Sequence, residues 1–159
     1  MKKIIPDMVF QEETNECGLS CIAMLAQTQN IQCSLPALRE IFPASDHGTS
    51  LSDLSLILQQ IGIATAPVLF DHEELHALPF PSILHYGASH YVLLAWRKGD
   101  YVCVMNPAIG QQWLPFSALK KEISGYALIL EESPGVIDQQ APVITGAQQE
   151  MPRAMSLKE

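Results

Sequence analysis

Cys17 stands where a polar segment, QEETNE, gives way to an apolar one, CGLSCIAM. Residues 17–28 contain no proline and are apolar nearly all round, which predicts a buried helix beginning at Cys17. A cysteine at a helix N-terminus lies at the positive end of the helix dipole, which favours the reactive thiolate. Thr14 or Asn15 could cap this helix. Cys17 is therefore a candidate nucleophile.

Gln11 lies six residues before Cys17, on the same short segment. An acyl-transfer site needs hydrogen-bond donors aimed at the oxyanion. The side-chain amide of Gln11, together with a backbone N–H at the start of the helix, would supply them. As a surface amide, Gln11 would have no such role, and the spacing alone does not exclude that alternative. Glu16 is interpreted as a solvated neighbour of the site.

A thiolate nucleophile needs a base or ion-pair partner, and that partner must be oriented. The chain offers five histidines: His47, His72, His76, His85 and His90. His90 opens the predicted strand HYVLLAW and Asn106 ends the next one, YVCVMN, with a turn at KGD between them. These strands form a hairpin, which places His90 and Asn106 near each other at one end. An Asn side chain can orient an imidazole for a cysteine, although a lone Cys and a lone His are often core residues.

The other cysteines, Cys21, Cys33 and Cys103, include no CxxC pair, so they do not predict a zinc site and are interpreted as small buried residues. A length of 159 residues favours one domain, and 48% hydrophobic residues can form a sizeable core. The net charge of -8 argues against nucleic acid and anionic membranes as partners. No apolar run approaches a membrane span or a secretion signal, which predicts a cytoplasmic location without membrane insertion by this chain.

Helical patterns come first along the chain and strand patterns follow, which predicts an α+β fold with a mostly antiparallel sheet. After the helix at 17–28, the sequence predicts two further capped helices, at SLPALREIF and TSLSDLSLILQQIG. The predicted strands are IATAPVLF, PSILHY, HYVLLAW, YVCVMN and YALILEE, with short helices at DHEELHAL and FSALKKEIS. Residues 1–132 are predicted to form one domain. Residues 133–159, rich in Pro, Gln, Gly and Ala, read as a linker or disordered tail.

Two spaced motifs resemble those of double-glycine leader peptidases, the papain-like domains of peptidase-containing ABC transporters that export bacteriocins and microcins. QEETNECGLSCIAM resembles the family's cysteine motif, with Gln11, Cys17, Gly18 and Met24 in place. HYVLLAWRKGDYVCVMNP resembles its histidine motif. GTSLSDLSLILQQIGI looks like the family's substrate-side helix, and the resemblance covers roughly residues 8–132. One position departs, because the family usually has Asp where this chain has Asn106.

The resemblance implies a cysteine endopeptidase that removes the leader of a bacteriocin-type or microcin-type precursor after a Gly-Gly or Gly-Ala pair. Cys17 would attack the carbonyl, His90 would carry the proton, Asn106 would orient His90, and Gln11 would help to hold the oxyanion. No metal or organic cofactor is implied. The implied partners are the leader peptide and the membrane and ATPase parts of an ABC exporter.

Such leaders are amphipathic helices, which implies an apolar groove to which Leu51, Leu54 and Leu58 could contribute, although core packing is the alternative for them. Two other functions remain open at this point. The chain could be a catalytically weak module that only binds the leader. It could also be a stand-alone papain-like toxin or amidase acting on another substrate.

Overall fold

The computed structural model describes residues 5–43, 48–87 and 89–131. Three helices occupy the first part of the chain: α1 (Cys17–Thr28), α2 (Leu35–Ile41) and α3 (Leu51–Gln60). All three were predicted from the sequence. Ser34 and Ser50 cap α2 and α3 through their side-chain oxygens, which accept the N–H groups of Ala37 and Asp53. The predicted tail at 133–159 and His47 lie outside the described residues.

Six strands follow the helices and form one sheet: β1 (Thr65–Leu69), β2 (Ser82–Tyr86), β3 (His90–Lys98), β4 (Tyr101–Asn106), β5 (Gly110–Pro115) and β6 (Ile123–Leu130). Their order across the sheet is β1-β6-β2-β3-β4-β5, and every neighbouring pair is antiparallel. The predicted α+β class with an antiparallel sheet is confirmed.

The second half of the chain differs from the prediction in one strand and in the length of one helix. Strand β5, GQQWLP, was not predicted. The helix predicted at FSALKKEIS is only one turn, α4 (Phe116–Leu119), and β6 already begins at Ile123. DHEELHAL, predicted as a short helix, contains a 3-10 helix at His72–Ala77.

The two faces of the sheet carry separate apolar clusters because side chains alternate along each strand. One face packs against the three helices, and α1 lies across β3. Tyr91, Leu93 and Met105 belong to this cluster. The opposite face packs against the 3-10 helix and α4 and contains Val92, Leu94 and Val104. The helical layer therefore brings the N-terminus of α1 to the end of the β3–β4 hairpin.

A β-bulge in this hairpin changes which side chains share a face. Leu94 pairs with Val104 but Trp96 pairs with Cys103, so Ala95 is the extra residue on β3. Beyond the bulge Leu93 pairs with Met105, the residue before Asn106. The bulge therefore shifts by one residue the part of β3 that lies opposite the end of β4.

Along the described residues, no helix combines the length and the apolar character needed to span a bilayer.

Candidate active site

His90 and Asn106 meet at the end of the β3–β4 hairpin, as the hairpin interpretation predicted. His90 Nε2 lies 2.8 Å from Asn106 Oδ1. Asn106 is only 4% exposed, so this contact is sheltered from water. The residue also closes a turn, because its Oδ1 accepts the backbone N–H of Ala108 at 3.0 Å.

The Ala108 contact decides the tautomer of His90. A backbone N–H can only donate, so the side-chain atom of Asn106 that it meets must be the carbonyl oxygen. That oxygen also faces His90 Nε2, which must therefore carry a proton and donate it. In the neutral ring the other nitrogen, Nδ1, is then unprotonated and can accept a proton. Asn106 thus fixes both the orientation and the protonation pattern of the imidazole.

Cys17 is the first residue of α1, is 6% exposed, and is the hydrogen-bond partner of His90. Since Nε2 is engaged with Asn106, the nitrogen facing the thiol is Nδ1. The bond to Cys17 is the largest of the effects that raise the pKa of His90, partial burial opposes it, and the bond to Asn106 adds to it. The imidazolium form is therefore favoured beside a sulfur that can carry negative charge.

Gln11 is held next to the same hairpin by its backbone. Its N–H donates to the carbonyl of Pro107, the residue after Asn106, at 3.1 Å. Its side-chain Nε2 donates to the carbonyl of Glu13 at 3.3 Å, which uses one of its two N–H bonds. Its Oε1 is buried and has no hydrogen-bond partner among the described residues. The second N–H of this amide is the group that an oxyanion would accept.

The N-terminus of α1 differs from the sequence expectation in two ways. Neither Thr14 nor Asn15 is the N-cap; Glu16 occupies that position and makes no side-chain cap bond to the helix. Glu16 is also not a solvated residue, because it is only 2% exposed and its carboxylate bonds to Arg39. The sequence around Glu16 does not indicate this partner, because Arg39 lies on α2, 23 residues further along the chain.

Gly18, which follows Cys17, allows α1 to approach α3 closely. A Cβ atom at this position would lie 2.8 Å from one terminal methyl carbon of Leu54 and 3.3 Å from the other. Leu54 is fully buried and has little room to move. A side chain at position 18 would force Leu54 to shift, so the glycine allows the close contact between the two helices.

A cleft of about 480 Å³ borders Cys17. Its walls come from the loop before α1, from the start of α3 and from the sheet: Thr14, Asn15, Cys17, Gly48, Thr49, Ser50, Asp53, His85, Ser89 and Tyr91. Tyr91 and His85 meet edge to face with ring centroids 5.4 Å apart. Burial, followed by the nearby charges of Cys17, Cys21 and Asp53, raises the pKa of Tyr91 to about 12, so its hydroxyl stays protonated.

A second cavity of about 310 Å³ shares Gly48, Thr49 and Asp53 with the first. Its other walls are Phe42, Pro43, Leu56, Ile57 and Gln60. The leucines considered for a groove do not line it, since Leu54 and Leu58 are fully buried core residues and Leu51 packs against the same core. Leu56, which is 57% exposed, presents the apolar side chain instead.

The other cysteines and the other described histidines have different surroundings, although His85 also lines the cleft beside Cys17. Cys21 and Cys103 are fully buried as predicted, whereas Cys33 is only partly buried. His85 Nδ1 lies 2.8 Å from the hydroxyl oxygen of Ser124, and burial lowers the pKa of His85. His76 stacks near Phe116, behind the sheet. Of the four residues singled out in the sequence, Cys17, His90 and Asn106 interact directly, and Gln11 is attached through its backbone to Pro107, the residue after Asn106.

Comparison with known proteins gives a consistent result. Residues 6–135 match the sequence profile of the peptidase C39 family. The chain is 34% identical over 121 residues to the probable microcin-H47 secretion/processing ATP-binding protein MchF of Escherichia coli, and 33% identical to the colicin V secretion/processing ATP-binding protein CvaB of the same organism. Each match covers 76% of this chain but only 17% of the relative.

Solved structures show the same fold. A double glycine motif protease from an AMS/PCAT transporter, solved in complex with the leader peptide, superposes with a TM-score of 0.76 at 23% identity, covering 82% of this chain and 94% of that one. The peptidase domain of Streptococcus ComA superposes with a TM-score of 0.70 at 21% identity, covering 80% of this chain and 98% of that one.

Proposed function

Because the chain belongs to the peptidase C39 family, a family of cysteine peptidases, we propose that it removes the leader of a secreted peptide precursor after a Gly-Gly or Gly-Ala pair. The observation that carries this proposal is the contact chain Cys17–His90–Asn106 at the edge of a cleft. The names of the relatives, which combine processing with secretion, support the substrate class. The relatives also suggest that cleavage is coupled to export by an ABC transporter, on its cytoplasmic side.

The proposed mechanism is acyl transfer. Cys17 attacks the scissile carbonyl as a thiolate while His90 holds a proton on each nitrogen, one of them donated to Asn106. The negative oxygen of the tetrahedral intermediate accepts hydrogen bonds from the backbone N–H of Cys17 and from Gln11 Nε2. His90 Nδ1 then protonates the leaving amine, and the thioester forms. Water, deprotonated by the same nitrogen, hydrolyses the thioester and restores the thiolate–imidazolium pair.

The cleft supports a requirement for small residues before the cleaved bond. Two aromatic side chains, Tyr91 and His85, stand beside Cys17 in the cleft wall and leave limited room for substrate side chains. The second cavity, with Leu56 and Ile57 on its wall, continues from the first one. We expect the apolar face of the leader to lie along this surface, with the Gly-Gly pair extended toward Cys17.

The direct test is incubation with double-glycine precursor peptides, with the products read by mass spectrometry. We expect a single cut after the glycine pair. Replacement of that pair by Val-Val should abolish it. Cys17→Ala should remove cleavage while retaining leader binding in a titration, because the proposed groove lies outside the thiol. Undiminished cleavage by Cys17→Ala would refute the assignment of the nucleophile. Binding without cleavage by the unaltered chain would favour a leader-binding module.

Thiol reactivity gives an independent test of the nucleophile. Burial raises the pKa of the Cys21 and Cys33 thiols, and Cys103 is fully buried in the sheet. Cys17 borders the cleft and contacts an imidazole whose pKa is raised. Iodoacetamide near neutral pH should therefore modify Cys17 first, as read by peptide mapping. Faster modification of Cys33 would contradict this reading of the site.

A further inference from the structure

Five polar residues, EETNE, separate Gln11 from Cys17 and set where the oxyanion donor lies relative to the nucleophile. We propose that Glu16 and Arg39 are positioning residues that fix this loop and, through the backbone of Glu13, hold the side chain of Gln11 in place. The proposal rests on the peptidase function above. It adds two residues to the site, neither of which contacts the substrate in the mechanism described.

The carboxylate of Glu16 acts as an internal template for the loop. Its Oε1 accepts the backbone N–H groups of Glu12 and Glu13, each at 3.1 Å. Its Oε2 accepts Arg39 Nε–H. The bond to Arg39 is the main reason why the pKa of Glu16 lies below its usual value, so the carboxylate is ionised at neutral pH. A carboxylate that accepts several bonds in a buried position fixes the groups around it.

Arg39 connects the loop to the helical layer. Its Nη2 donates to Glu12 Oε1 at 2.7 Å and to Glu16 Oε1 at 3.2 Å. The planar guanidinium thus holds two carboxylates at once, which a lysine cannot reproduce. Arg39 lies on α2, whose Leu35 and Leu38 are buried in the same core as α1. The loop is therefore attached to the layer that also carries the nucleophile.

The path from Glu16 to Gln11 runs through the backbone of one residue, Glu13. Glu13 N–H donates to the Glu16 carboxylate, and the Glu13 carbonyl accepts both the backbone N–H of Glu16 at 3.1 Å and Gln11 Nε2 at 3.3 Å. A shift of Glu13 would therefore move the Gln11 amide. Oxyanion donors act over a narrow range of distances, and a misplacement of about 1 Å can cost about 10²-fold in rate.

Stability alone is a weak reason for such an arrangement. A buried ion pair often contributes little net stability, because desolvation of the charges offsets their attraction. The exposed pair between Lys120 and Glu73, at 3.7 Å, offers a matched comparison away from the loop. Lys120→Met should leave kcat and KM unchanged, whereas variants of the Glu16–Arg39 pair should lower kcat.

The key variant is Glu16→Gln, which keeps the size of the side chain but places an N–H₂ group against either Arg39 or the two backbone donors. We expect kcat for a double-glycine peptide to fall about 10- to 100-fold with KM little changed. The value of kcat should fall less in Arg39→Lys, which keeps the positive charge and one donor group, than in Arg39→Met. This graded series keeps the test informative if Glu16→Gln does not fold.

Two further measurements separate positioning from general damage. In a Gln11→Ala background, Glu16→Gln should cost little additional kcat, because the donor that it positions is already gone. Alkylation of Cys17 by iodoacetamide needs no oxyanion donor and should keep its rate in Glu16→Gln.

Independent, fully additive losses would overturn the proposal, as would unchanged kcat in Glu16→Gln and Arg39→Met. Alkylation that falls in parallel with kcat would also overturn it, since the pair would then act on the nucleophile or the fold. Cleavage by Cys17→Ala would instead refute the peptidase mechanism itself.

Discussion

Asn106→Ala is the substitution that most directly tests how the base is oriented. The alanine removes the acceptor of two donors, His90 Nε2–H at 2.8 Å and Ala108 N–H at 3.0 Å. Because Asn106 is nearly fully buried, water does not readily replace it. Leaving a buried donor without a partner costs about 1–3 kcal/mol, so the free energy of unfolding should fall by this order.

The expected loss of activity follows from the charge on the imidazole. A hydrogen bond to a charged group contributes about 1.5–3 kcal/mol, which converts to roughly 10- to 100-fold in kcat/KM if the bond holds the imidazolium in the transition state. The loss of kcat/KM in Asn106→Ala should lie in this range at neutral pH. Asn106→Asp should retain much of the activity, because a carboxylate accepts the same two donors.

The aspartate variant also predicts a shift in pH dependence. The pKa of His90 is already raised, first by Cys17. A carboxylate at position 106 stabilises the imidazolium further and should raise the pKa of His90 again. The thiolate–imidazolium pair is lost when the imidazolium deprotonates, so a higher pKa preserves it to higher pH. The alkaline limb of kcat/KM should therefore move upward in Asn106→Asp.

The assay is the pH profile of kcat/KM for a fluorogenic double-glycine peptide, measured for wild type, Asn106→Ala and Asn106→Asp. Gln111→Ala, an exposed amide on the neighbouring strand β5, serves as the control and should match wild type. Thermal unfolding confirms that each variant is folded. Wild-type activity in Asn106→Ala would mean that the residue only closes the turn. An alkaline limb that stays or moves downward in Asn106→Asp would refute the tautomer argument.

Three other substitutions test separate parts of the site. Gln11→Ala should lower kcat about 10²–10³-fold with KM little changed, and a rise in KM alone would make Gln11 a substrate-binding residue. Gly18→Ala should lower the free energy of unfolding by about 1–3 kcal/mol in urea titration. Adding Leu54→Ala should then cost less than it does in wild type, while simple additivity would contradict the close contact. Leu56→Asp should raise KM without changing kcat, whereas Leu69→Asp, an equally exposed site on β1, should change neither.

The helices were predictable because their signals are local. The apolar run after Cys17 and the serine caps of α2 and α3 lie within a few residues of the elements that they specify. The pairing of His90 with Asn106 was predictable from the hairpin for the same reason. The exact register of the hairpin was not, because it is shifted by the bulge at Ala95, and nothing in HYVLLAW distinguishes a bulged residue from a regular one.

Strand β5 and the start of β6 were decided by tertiary partners. GQQWLP has no run of β-branched residues, and it forms a strand because β4 offers an edge along its whole length. In KKEIS the helical propensity of the lysines and glutamate competes with pairing of Ile123 to Tyr86 in β2, and the pairing prevails. The pattern of residues within one segment does not show which distant strand it will pair with.

The hydrogen bonds of Glu16 show that the geometry of the site depends on more residues than the four predicted from the sequence. The proposed nucleophile belongs to α1, the proposed base to β3 and its orienting amide to β4, so three elements must meet within hydrogen-bond distance. The loop before α1 joins two of them directly, since the Gln11 N–H bonds to Pro107 at the end of β4. Glu16 and Arg39 fix the other end of that loop to the helices. An error in either attachment would separate the oxyanion donor from the thiol without disturbing the core, which is why activity should respond to these residues more strongly than stability does.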